Sequence, residues 1–115
     1  MGCLGELSAD LVMTKTEEEL AFWMIMAWDR DGALPARLAR YDEHRAYLNA
    51  STIEILAAGP AVADDGETPT GSFFVVRSSK AEAQEFNDGD PFNVNGVWGD
   101  ITISRFLYRR GKIEL

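Results

Sequence analysis

The sequence has one cysteine, Cys3, and one histidine, His44, among 115 residues. A single cysteine excludes an internal disulfide and fits a reducing, cytoplasmic setting. One Cys and one His also leave a zinc site to be built almost wholly from carboxylates, so no metal is expected. Asp29-Arg30-Asp31-Gly32 opens like a calcium loop, but its glycine comes too early and no closing glutamate follows. Positive charge is scarce too: Lys and Arg number 11 against 19 Asp and Glu, for a formal net charge of -8. Arg109, Arg110 and Lys112 make only a short basic tail, so nucleic acid is not an expected partner. The longest apolar stretch, Leu20 to Trp28, is too short to span a bilayer, and no secretory leader is legible. Met1-Gly2-Cys3 hints at myristoylation, but Glu6 stands where that signal needs Ser or Thr. Glycine-rich phosphate loops, paired-cysteine spacings and nucleophile elbows are missing as well, and no cofactor is expected.

What is present suits one globular α+β domain. Hydrophobic residues make up 46% and charged residues 26%, enough for a core without staples. Residues 1–21 read as an N-terminal extension, in which Thr16-Glu17-Glu18-Glu19 matches a capping box, and residues 22–115 read as the domain. Phe22 to Trp28 predicts a strand buried on both faces. Leu34 to Asn49 predicts a helix with Pro35 in its first turn, and Leu34, Leu38, Tyr41 and Leu48 form an apolar stripe. A strand over Ile53–Ala58 should stop at Gly59-Pro60, and the polar residues 64–70 should form a hairpin loop. Phe73–Val76 is a third strand. Ser79-Lys80-Ala81-Glu82 is a capping box opening a second helix that Gly89 ends, and Val97–Tyr108 is a last strand.

The order strand, helix, strand, strand, helix, strand predicts a ferredoxin-like fold: a four-stranded antiparallel sheet with both helices on one face. Trp23, Trp28, Phe74 and Trp98 fall in that sheet, so its bare face should find cover, most simply in a homodimer.

His44 is the one obvious candidate for chemistry. At about 100° per residue it lies roughly 75° from the centre of the apolar stripe, on the helix flank beside Arg37, Arg40 and Tyr47. Taken alone, such a histidine is more often a surface or capping residue, and the two arginines are more often solvated charge. Asp90 precedes Pro91, which restricts its backbone and fixes where its carboxylate points; alone this reads as an ordinary Asp-Pro turn.

Together these pieces resemble the YCII-related family of small ferredoxin-like proteins. The matching stretches are Arg40 to His44 with Ala46-Tyr47-Leu48, Leu56 to Pro60, Gly71-Ser72, and Asp90-Pro91-Phe92 with Gly96-Val97. They span roughly residues 22 to 108. The resemblance implies a dimeric αβ-barrel-like assembly with a pocket at the helix–sheet margin. It also implies a His–Asp active-site pair on His44 and Asp90, with Ser72 as a neighbour. Members with an assigned reaction act on small oxygenated rings, as in halide elimination from a hydroxylated aromatic, and fold relatives include muconolactone isomerase. Two features depart from the family: about 20 residues precede the first strand, and Arg45 stands where an apolar residue is usual.

Two readings of function follow. In one, a cofactor-free lyase or isomerase uses His44 as acid or base, Asp90 as its partner, and Arg37 or Arg40 to anchor a small cyclic, anionic substrate. Tyr47 and Ser72 would help bind that substrate. In the other, the same pocket belongs to a non-catalytic ligand-binding or accessory dimer. Cofactor-free oxygenation ranks last, resting only on fold analogy and the tryptophans.

Overall fold

Side chains along Ala21–Asp29 alternate between two environments: Ala21, Ile25 and Ala27 are buried, whereas Trp28 is exposed. This period of two makes strand β1 of the computed structural model, which describes residues 20–113. The capping box at Thr16–Glu19 lies outside those residues. After β1 come α1 (Leu34–Ala50), β2 (Glu54–Val62), β3 (Pro69–Ser78), α2 (Lys80–Gly89), α3 (Pro91–Val94) and β4 (Trp98–Phe106).

The strands form one antiparallel sheet in the order β2-β3-β1-β4, the ferredoxin-like arrangement, with β1 and β3 central. Its helix-facing side supplies Ile25, Ala27, Phe74, Val76 and Trp98 to the core, against Ala83, Phe86 and Phe92 from α2 and α3. The expected Ser79 box opens α2: Ser79 Oγ accepts from the Glu82 amide at 3.1 Å, and the Ser79 amide donates to Glu82 Oε1 at 3.0 Å.

Five expectations need correction. β2 does not stop at Gly59-Pro60 but runs on to Val62, because it is an edge strand. A proline on an edge leaves no central ladder bond unmade. β3 starts at Pro69, within the segment expected to be loop, and the one-turn helix α3 adds an element to the expected order. The first strand is not buried on both faces. Trp23, Phe74 and Trp98 turn toward the helices, and the bare face carries Phe22, Met24, Met26 and Trp28 with Phe73 and Val75. Finally, Leu34, Leu38 and Tyr41 of the expected stripe are exposed, and α1 buries Arg37 and His44 instead. Charged and polar groups tolerate that position only with buried partners, and both have them.

Candidate active site

Asp90 is where two helices meet. It ends α2 and caps α3, its extended backbone (φ -65°, ψ 132°) enforced by Pro91 at the first helical position. Its carboxylate Oδ1 accepts from the Phe92 amide at 2.9 Å, and its carbonyl accepts from the amides of Asn93 and Val94. A cap of this kind satisfies α3's first donors and aims the carboxylate at α1. There His44 Nδ1 lies 2.9 Å from the same Oδ1. Asp90 is fully buried and His44 is 8% exposed. The second carboxylate oxygen, Oδ2, has no partner among the described residues.

The imidazole is fixed in orientation as well as position. It stacks on Phe92 at 4.1 Å between centroids with 10° between planes, and a tilted Phe74 lies 6.3 Å away. Oδ1 is an acceptor, so in the neutral ring the proton sits on Nδ1 and the lone pair on Nε2. Nε2 makes no hydrogen bond with any described residue.

Seven residues earlier on the same helix face, Arg37 is also buried. Its Nε and Nη2 meet Asp29 Oδ2 and Oδ1 at 2.8 and 3.2 Å, a two-point ion pair. Nη2, sharing its two protons among three acceptors, also donates to the Gly71 carbonyl at 2.8 Å and to Ser72 Oγ at 2.6 Å, and the guanidinium lies over the Phe92 ring at 4.6 Å. Ser72 Oγ receives a second donor, Trp98 Nε1, at 3.3 Å. With both lone pairs occupied and no donor bond of its own among the described residues, the hydroxyl proton is left to donate.

A cavity of about 470 Å³ opens between α1 and the β2–β3 hairpin. Arg37, His44, Ser72 and Phe74 line its floor, and Leu38, Tyr41 and Arg45 line one wall. The exposed side of α1 thus faces this cavity instead of the core. A second cavity of about 520 Å³ lies at the other end of α1; neither His44 nor Ser72 lines it.

Of the residues expected at a site, His44, Asp90, Arg37 and Ser72 converge, and Arg40 and Tyr47 do not. Arg40 points outward to pair with Glu43 at 2.9 Å and lines neither cavity. Tyr47 lines the second cavity and donates its hydroxyl proton to the Phe86 carbonyl at 2.9 Å. Burial, then the nearby charges of Asp90, Glu85 and Asp88, push its pKa above the usual tyrosine value, so it is no base. Asp29, Phe92 and Trp98 have no role assigned from the sequence. Asp29 figures there only in a calcium-loop likeness that fails, and its two-point pairing with Arg37 is what marks it. Among the described residues no cluster of three or more His, Cys, Asp or Glu could hold a metal ion, and no helix is long and apolar enough to cross a membrane.

The family model of the YCII-related domain matches residues 21–107. Among solved structures, 5-chloro-2-hydroxyhydroquinone dehydrochlorinase from Burkholderia phenoliruptrix AC1100, in complex with 2,5-dihydroxybenzoquinone, is 31% identical. It superposes with a TM-score of 0.67, covering 79% of this chain and 96% of that one. No curated protein sequence matches significantly.

Proposed function

The chain belongs to the YCII-related family, and on that premise we propose that it is a cofactor-independent lyase or isomerase in which His44 transfers a proton on a small oxygenated ring. The observation that supports this most is the buried 2.9 Å contact between His44 Nδ1 and Asp90, which leaves Nε2 as the ring's free base beside a cavity. The chemistry is balanced without an electron acceptor. Nε2 takes a proton from a ring carbon beside a carbonyl, the electrons of the broken bond form a new double bond, and the displaced carbonyl π pair moves onto the ring oxygen. In an elimination, the leaving group departs with the electrons of its own bond. In an isomerisation, the imidazolium returns the proton to another ring atom. Asp90 stabilises the imidazolium in between, and the Ser72 hydroxyl donates to the ring oxygen that gains negative charge. The likeness to a dehydrochlorinase favours elimination.

We further propose that a second copy of the chain covers the bare sheet face. Trp28 and Phe73 meet edge to face there, 5.4 Å between centroids, and are 43% and 39% exposed. Light scattering at micromolar concentration should give twice the chain mass; a monomer would refute this.

The enzymatic test is chloride release from 5-chloro-2-hydroxyhydroquinone and related halogenated hydroxy-rings. Positioned proton transfer contributes about 10²–10⁴-fold, so His44→Ala should lose at least the lower figure. Equal turnover in His44→Ala would end the mechanism. Tight binding of these rings with no turnover in the wild type would favour a binding module.

A further inference from the structure

The charges around the cavity are unevenly matched. Its lining holds two arginines, Arg37 and Arg45, and one carboxylate, Glu67. The Arg37 charge is balanced by Asp29 in a largely buried two-point pair. Arg40, the other cation on this helix, is turned away and paired with Glu43. Arg45 is exposed at the wall, makes no ion pair among the described residues, and holds its guanidinium 5.7 Å from the centre of the Tyr41 ring. In a chain of net charge -8, an anion entering this cavity meets one cation, Arg45, that no ion pair among the described residues neutralises.

The position has a structural logic. Leu38, Tyr41, Arg45 and Leu48 recur at intervals of three and four, so they share one side of α1. Read as a core-facing stripe, this side should not contain an arginine. Facing a cavity instead, it combines aliphatic and aromatic surface for a ring with a guanidinium for an oxygen. A planar guanidinium suits carboxylates and delocalised oxyanions because it can donate two parallel hydrogen bonds. Glu67, on the loop between β2 and β3, repels the same group and so orients it toward Arg45.

We propose that Arg45 is the anion anchor of the cavity, selecting ring substrates that bear a carboxylate, phenolate or acidic enol over neutral rings. This rests on the cavity being the substrate site. A charge-assisted hydrogen bond in a half-open site should favour the anionic ligand by about tenfold, and added salt should erode that preference.

Two probes separate the possibilities: 2,5-dihydroxybenzoquinone, an acidic enol that is anionic at neutral pH, and 1,4-hydroquinone, a neutral ring of similar size. Each would be titrated calorimetrically into the wild type, Arg45→Leu and Arg45→Lys, with the His44 imidazole followed by NMR. Arg45 is exposed, so these variants should unfold at the wild-type temperature, which a melt confirms. The expected result is about tenfold weaker dihydroxybenzoquinone binding by Arg45→Leu, restored only in part by Arg45→Lys, which keeps the charge but not the two-point geometry, with hydroquinone unchanged. Binding of both probes with equal affinity by wild type and Arg45→Leu would overturn the anchor and leave the site standing. Absence of any His44 response to either probe in the wild type would overturn the site, and the anchor with it.

Discussion

Replacing Asp90 by asparagine separates the two roles its carboxylate can play. The amide side chain, in the same rotamer, keeps an oxygen where Oδ1 now accepts from both the Phe92 amide and His44 Nδ1, each at 2.9 Å. The cap of α3 and the imidazole tautomer therefore survive. The amide nitrogen takes the place of Oδ2, which has no partner among the described residues, so one unmatched buried atom replaces another. Two charge-assisted bonds become neutral ones, a loss of about 1 kcal/mol each. Against that, a fully buried charge disappears, and its desolvation cost is several kcal/mol. The balance predicts stability within about 1 kcal/mol of wild type or slightly above it, a shift of no more than roughly 4–8 °C. Catalysis should behave differently. Two unit charges about 4 Å apart interact by about 4 kcal/mol at an effective dielectric constant of 20, and Asp90→Asn removes this from the imidazolium intermediate. A rate loss on the order of 10²–10³-fold follows, with KM little changed. Urea denaturation and chloride-release kinetics on the same variant read both quantities. Destabilisation by about 3 kcal/mol or more, or a rate within about threefold of wild type, would refute this division of labour.

Three further predictions concern the frame. Arg37→Ala should cost about 3–5 kcal/mol in urea denaturation, because it leaves the nearly buried Asp29 carboxylate unpaired; a loss under about 1 kcal/mol would show that the pair is solvated. Gly71→Ala should destabilise by about 1–3 kcal/mol, since the added Cβ would lie 2.6 Å from the Ala27 carbonyl in the central β1–β3 pair; a stability equal to wild type would contradict that packing. Asp65 holds the hairpin loop through bonds from the Thr68 hydroxyl and the amides of Thr68 and Glu67, which lower its pKa from 3.8 to about 2. A depressed pKa means this stabilisation is complete above pH 3.8 and fades as pH falls toward 2, so the Glu67 and Thr68 amide shifts should titrate near 2; a midpoint near 3.8 would deny the bonds.

Much of the architecture is legible along the chain. The continuous apolar run at Phe22–Trp28, the Ser79–Glu82 box and the element order lead to the ferredoxin-like sheet because they depend on neighbours a few residues apart. Asp90-Pro91 is legible as a fixed backbone but not as the start of α3, since a turn and an N-cap share that dipeptide. Pro60 inside a strand is not legible, because its tolerance depends on β2 being an edge, a fact of sheet order. The inward face of α1 escapes the pattern for a deeper reason. Periodicity assigns apolar residues to the core, whereas Arg37 and His44 are buried because Asp29 and Asp90, 8 and 46 positions away, compensate them. With those two turned in, Leu38, Tyr41 and Arg45 are left to line a cavity.

Propensity, caps and alternation act locally, so the elements, their order and the few residues able to do chemistry follow from the chain alone. Which side of α1 faces the core, and which carboxylate meets which cation, waited on the packed fold. Those choices turn on the desolvation of charges, and a charge can be buried only where the fold delivers its partner.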